Sequence, residues 1–244
     1  MQATINFQKG LMPLYCLGLM VYFNNFSRGA WLYFTLHGSY GVLWILGYLI
    51  FPNKGFSHNI TIAGCINSYL TVLGPYCLAA YLVNSRQIEE AQDPSAERTT
   101  VATVMFIFGV ICMMGADAQK HFVTTNKPGL ITDGWVKYNR NTNYFGEIML
   151  YASFNVVAQS NVVWIIYACI WGLYFSLRMV WKDYQLSRKD GWEEYRRRTW
   201  MILFKVGNSD ILTVLFYSAI GGLIYFVYSQ GGVEATLKSI FKLD

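Results

Sequence analysis

Charge is scarce in this 244-residue sequence: Asp, Glu, Lys and Arg together make up 14% of it, against about 25% in ordinary soluble domains. So few charges cannot cover the surface of a water-soluble domain of this length, and that class is excluded. Catalytic and metal-binding signatures are also missing: there is no CxxC, no HExxH, no Walker loop and no GxGxxG. The five cysteines, Cys16, Cys65, Cys77, Cys112 and Cys169, sit inside apolar runs at spacings unlike any metal site. They read as small buried hydrophobes and say little about redox compartment. No metal is expected. No basic segment and small-residue cleavage site flank a short apolar core at the N-terminus, so the first apolar run is expected to be retained rather than removed as a signal peptide. No long internal repeat is visible. The net charge of +5 needs no nucleic acid to explain it, because its densest run, Arg196–Arg198, lies beside an apolar segment where lipid phosphate or solvent is the usual partner.

What is there is apolar. Hydrophobic residues are 54% of the chain and aromatics 17%, and the charges are grouped between long uncharged stretches. A hydrocarbon core about 30 Å thick requires about 20 apolar residues per helix, and helices satisfy their own backbone inside lipid. The fold class expected is all-α, an integral membrane protein with about seven transmembrane helices. These fall near 11–26, 29–51, 59–83, 100–123, 144–159, 161–184 and 209–229, in one polytopic domain over 1–244. The junction at Gln159–Asn161 leaves room for little more than a turn, so the fifth and sixth spans form a helical hairpin. Pro13 and Pro75 fall inside spans, where neighbouring helices re-satisfy the backbone. One clearly polar linker, Ser85–Thr100, carries Asp93–Pro94 as a turn signal.

With seven crossings, the N-terminus and the 2–3, 4–5 and 6–7 loops share one side. That side holds thirteen of the nineteen Lys and Arg residues, the other side five, and Arg178 lies at the membrane end of the sixth span. The positive-inside rule then puts the N-terminus on the cytoplasmic or matrix side and the C-terminus opposite.

Two polar segments stand out on the basic side. One runs from Asp117–Ala118–Gln119–Lys120 through Lys127–Pro128–Gly129 and Asp133–Gly134–Trp135 to Tyr138–Glu147. The other runs from Arg178 through Lys182–Asp183–Tyr184 to Gly191–Thr199. Asp117, Glu147 and Arg178 lie at membrane boundaries, where a lone charge is costly. Two readings follow from the residues: mutual pairing that ties helix ends together, or a polar pocket for a large anionic ligand. Either way, Asp117, Asn143, Glu147, Arg178 and Asp183 are expected to converge.

The stretch Tyr138–Asn139–Arg140–Asn141–Thr142–Asn143–Tyr144–Phe145–Gly146–Glu147, preceded by Asp117–Ala118–Gln119–Lys120, resembles the steroid 5α-reductase family, especially its membrane branch related to isoprenylcysteine methyltransferases and sterol reductases. That family reads Asp–x–Gln–Lys, then Tyr–x–Arg–His–Pro–Asn–Tyr–Phe–Gly–Glu. Its later signature, Arg/Lys–Asp followed by Gly–x–x–x–Tyr–x–x–Arg–Thr, resembles Lys182–Asp183 with Gly191, Tyr195, Arg198 and Thr199. The resemblance covers about 100–199, and 205–244 forms a further span and tail. It implies NADPH held by Asp117, Lys120, Arg140, Asn143, Glu147, Arg178, Asp183, Tyr195 and Arg198. It also implies hydride transfer to an enone whose carbonyl is polarised by Tyr40 or Tyr33, with His37 one turn away. Tyr and His in an apolar span also serve as interface anchors or helix contacts.

The chain departs from the family pattern where Asn141–Thr142 replaces His–Pro, where no proline follows Thr199, and where the extra span runs on. An asparagine cannot offer a phosphate the positive charge of a histidine. The function expected is therefore a steroid 5α-reductase-like membrane protein serving as a non-catalytic structural or lipid-binding subunit of a larger membrane complex, for example a respiratory one, with no cofactor. The alternative is an NADPH-dependent reductase of a steroid-like or polyprenoid enone. A methyl transfer is a weaker third, against which Asp117–x–Gln119 argues. Membrane lipids and protein subunits are the expected partners, in the endoplasmic reticulum, the mitochondrial inner membrane or a bacterial inner membrane.

Overall fold

The computed structural model describes residues 1–127 and 129–241; Pro128 and the tail residue Lys242 lie outside the described residues, as does the side chain of Lys54. Helices dominate: α1 (Gln2–Tyr22), α2 (28–50), α3 (Ile62–Asn84), α4 (Ala96–Asn126), α5 (Thr142–Ala158), α6 (Asn161–Leu186), α7 (Trp192–Arg198), α8 (Asp210–Ser229) and α9 (Val233–Phe241). Among the described residues there is no strand, only an isolated parallel bridge between Asn139 and Trp200.

The starts of five helices are written in hydroxyls. Ser27, Thr61, Ser95, Ser160 and Ser209 precede α2, α3, α4, α6 and α8, and each side chain accepts a backbone N–H of the first turn, from Ala30, Gly64, Arg98, Val163 and Leu212. Such caps satisfy donors that have no partner within the helix, each contributing about 1 kcal/mol. The α5–α6 hairpin turns on Gln159, in the left-handed region at φ 54°. Asn155 clamps it, donating from Nδ2 to the Ser160 carbonyl (2.9 Å) and accepting the Ser160 N–H on Oδ1 (3.2 Å). Three helices carry a wide π turn: Phe34–Gly38 in α2, Tyr69–Leu73 in α3 and Ile170–Phe175 in α6.

Four helices, α3, α4, α6 and α8, are long and apolar enough to cross a membrane. Their outward residues, such as Ile62, Leu70, Leu173, Leu177, Ile211 and Leu223, are exposed, a surface that water would not tolerate over this extent. The chain is an all-helical membrane protein. In α1 and α2 the polar residues Gln2, Gln8, Lys9, Thr35, His37 and Ser39 dilute the apolar run, and α5 has 17 residues.

Loops gather at two opposite ends. At one, the N-terminal amine donates to the His58 carbonyl (2.9 Å), His121 meets the Pro52 carbonyl (3.2 Å) and Lys189 donates to the Gly129 carbonyl (2.7 Å). At the other, Gly29 N–H bonds the Gln92 carbonyl (3.1 Å), Arg28 pairs with Asp93, and the Glu234 N–H at the start of α9 meets the Glu97 carboxylate.

Aromatic residues fill the middle. Tyr33, Tyr40, Tyr76, Tyr151, Phe154 and Tyr167 are buried together, with the Tyr76 and Tyr151 rings stacked 3.7 Å apart. The tightest helix pair is α4–α5. A Cβ added to Gly146 would lie 2.5 Å from the Gly109 carbonyl oxygen, and one added to Gly109 would lie 2.7 Å from the Gly146 carbonyl oxygen. Small residues let helix backbones touch in lipid, where packing replaces the hydrophobic effect. By contrast α8 buries very little; it is tied at its start by Trp200 Nε1 to Asp210 (2.7 Å), the Lys205–Asp210 ion pair (2.9 Å) and the Val206 N–H to Thr213 Oγ1 (2.9 Å).

Candidate functional site

The close α4–α5 contact brings two polar stretches face to face. Asp117 follows Met113 by one helical turn, and Asn143 precedes Glu147 by one turn, so both carboxylates emerge beside the glycine contact. They open into a cavity of about 210 Å³ bounded by α1 to α6 and the 53–56 segment. Lys120 from α4, Arg178 and Lys182 from α6, Lys9 from α1, and Asn67, Ser68 and Thr71 from α3 are among its polar lining. The Arg178 guanidinium lies over the Phe56 ring at 5.2 Å and the Tyr174 ring at 5.7 Å. Asp117, Lys120, Asn143, Glu147 and Arg178 thus share one cavity.

The other four residues named for the cofactor are engaged elsewhere. Arg140, buried at 7% exposure, spreads its guanidinium over Asp183 and Thr199. Its Nε and Nη2 reach the Asp183 carboxylate at 2.9–3.2 Å, and Nη1 donates to the Thr199 carbonyl (2.8 Å) and hydroxyl (3.1 Å). Asp183 is therefore a partner of Arg140 and does not line the cavity. Arg198 donates to the Thr132 carbonyl (2.9 Å) and Tyr195 to the Val136 carbonyl (2.8 Å). Burial pushes the Tyr195 phenol well above its ordinary range, so it remains a donor. A smaller cavity of about 100 Å³, lined by Arg140, Tyr195 and Lys189, shares Asp117, Lys120, Asn143 and Lys182 with the first. Asn141 and Thr142 are turned inward: Asn141 Nδ2 donates to the Met201 carbonyl (2.8 Å) and Thr142 Oγ1 to the Trp135 carbonyl (2.6 Å).

Tyr33, His37 and Tyr40 are all fully buried, and none lines the cavity. Tyr33 bonds His37 Nδ1 (2.9 Å), His37 stacks on Phe154 at 4.2 Å, and the Tyr40 hydroxyl lies 3.9 Å from Met113 Sδ. Met113 is itself a wall residue, so Tyr40 stands one side chain behind the cavity.

Sequence reasoning missed Lys9, placed outside the first span as a solvent-side charge. It is 2% exposed and held among four aromatic rings. The signal was present: Ile5, Lys9, Met12, Cys16 and Met20 recur at helical spacing and are the buried face of α1.

A family model matches residues 61–199, from the cap of α3 to the end of α7, more than half the chain. The chain belongs to the family described as protein of unknown function (DUF1295). The DUF1295 match contains every polar lining residue of the cavity except those from α1 and the 53–56 segment. It also contains the Arg140–Asp183–Thr199 cluster, while Tyr33, His37, Tyr40 and Lys9 lie outside it. A search of curated proteins finds no match.

Proposed function

We propose that this DUF1295 chain is a steroid 5α-reductase-like membrane protein that retains a polar cavity but acts as a non-catalytic, lipid-binding subunit of a larger membrane complex. The observation that carries the reading is the state of Arg140. Its fork, the group best suited to a phosphate, is consumed by Asp183 and Thr199 within the fold. Arg198 is tied to a loop carbonyl in the same way, and Asn141 and Thr142 serve the backbone carbonyls of Met201 and Trp135. The residues present therefore fit a dinucleotide poorly and an amphiphile's head group well. The barely buried α8 leaves a long apolar surface for lipid or neighbouring subunits. Seven crossings, with the N-terminus on the cytoplasmic or matrix side, agree with the two loop ends and the positive-inside rule. The membrane in this reading is that of the endoplasmic reticulum, the mitochondrial inner membrane or a bacterial inner membrane.

One observation favours the other reading, an NADPH-dependent enone reductase: Asp117, Asn143, Glu147 and Arg178 face one cavity, as a ribose and carboxamide would require. Titrating NADPH into the solubilised protein separates the two. No change in cofactor fluorescence, with lipid and subunits co-purifying, is the expected result. Micromolar binding with turnover of an enone would return the chain to the reductases.

A further inference from the structure

We propose that Lys9 is the reactive group of the cavity, a primary amine placed to capture an apolar aldehyde as a protonated imine held by an aromatic cage. The proposal rests on the lipid-binding reading and names a ligand class for it. Lys9 is in the cavity wall at 2% exposure. Its ammonium lies 4.5 Å from the Tyr40 ring centre, 4.6 Å from Tyr151, 5.3 Å from Tyr76 and 5.5 Å from Trp44, and it contacts the Tyr151 hydroxyl. Glu147, Asp117 and Arg178 line the same cavity, from α5, α4 and α6.

A lysine that merely tied α1 to α5 would gain nothing from opening onto a cavity. Here the amine meets a space walled by Met113, Val72, Leu73 and Phe175 on its apolar side, which suits an alkyl chain. Desolvated lysines beside an apolar surface are established nucleophiles toward carbonyls. The steps balance. The ammonium releases a proton to water, and the free amine adds to the aldehyde carbon. The carbinolamine takes a proton on its hydroxyl and loses water as the C–O bond breaks, leaving the iminium. The net change is aldehyde plus ammonium to iminium plus water, with no oxidant or reductant. Because the iminium keeps the positive charge, the four rings that hold Lys9 also hold the product.

The test uses the whole protein in lipid nanodiscs, incubated with octanal, reduced with sodium cyanoborohydride and mapped by peptide mass spectrometry. One octyl group per chain on Lys9 is expected. Lys9→Arg abolishes it, while Lys137→Arg and Lys238→Arg, outside the cavity wall, leave it. Should Lys9→Arg fail to fold, the wild-type protein still decides, by comparing label at Lys9 in folded and detergent-denatured chains. Label at Lys9 no higher than in the denatured chain, or spread over exposed lysines, would overturn the proposal. Native mass spectrometry of the unlabelled protein keeps the two ideas apart. Retained lipid without Lys9 labelling sinks this inference alone, whereas NADPH in place of lipid sinks the lipid-binding reading with it.

Discussion

Replacing Arg140 with glutamine asks whether that side chain belongs to the fold or to a ligand. The change removes a guanidinium that makes three contacts to Asp183 and two to Thr199. It leaves the Asp183 carboxylate, 16% exposed, without its cation. Stripping one partner from a pair this buried costs about 3–5 kcal/mol, because the remaining charge is stranded. The Thr199 carbonyl is left short of a donor as well, so the loop after α7, which pairs with residues 138–141, should loosen with it. The assay is thermal and denaturant unfolding of the solubilised protein, repeated for Asp183→Asn and for the double variant. If Arg140 is structural, each single variant is strongly destabilised and the double variant recovers part of the loss. Arg140→Lys fails to rescue fully, since an ammonium lacks the planar fork. A loss under about 1 kcal/mol for Arg140→Gln, the worth of a surface pair, would refute the reasoning and free Arg140 for a phosphate.

Gly146→Val should cost about 1–3 kcal/mol or prevent folding by forcing α4 and α5 apart, whereas Gly222→Ala, with nothing within 4 Å of the added carbon, should be neutral or stabilising by up to about 1 kcal/mol; detergent-resistant melting checks both. Tyr195→Phe should cost about 1 kcal/mol, one hydrogen bond to Val136. Since burial raises the folded phenol's pKa, the stability it contributes is intact below the unfolded value of about 10 and fades as pH rises above it; wild type should lose more stability than Tyr195→Phe in that window, as denaturant melts at rising pH would show. In sealed vesicles an impermeant maleimide should reach His58→Cys and Lys189→Cys from one side and Gln92→Cys and Gln230→Cys from the other; mixed labelling would contradict the proposed crossings.

The helices were legible because lipid demands one thing of a sequence, a long apolar run, and seven such runs answer to long helices. The sixth, expected over 161–184, is Asn161–Leu186, and the tight Gln159–Asn161 junction is the hairpin turn. The beginning of α1 was not legible. An apolar-run criterion stops at a lysine, yet the helix starts at Gln2 and draws Lys9 inward, because four aromatic rings from α2, α3 and α5 compensate its charge. Those rings come from distant parts of the chain, which no local pattern reveals. The same limit applies to the site. Motif residues on α4, α5 and α6 could be named, but spacing cannot tell which arginine faces the cavity and which, like Arg140, is claimed by a carboxylate 43 positions away.

The π turns have a consequence for how this cavity changes over generations. A π turn is a single extra residue absorbed by a helix, and two of the three, Tyr69–Leu73 and Ile170–Phe175, supply wall residues: Thr71, Val72 and Leu73 from one, Tyr174 and Phe175 from the other. Deleting one codon there would return the helix to ordinary winding and re-aim the residues of that turn, by up to about 100°, one residue's share of a 3.6-residue turn, while the helix on either side keeps its facing. The hydroxyl of Thr71 could leave the wall by that event alone, with no substitution anywhere. Ligand preference in such a fold can therefore drift by gain and loss of single residues inside membrane helices, where substitutions are the changes usually sought.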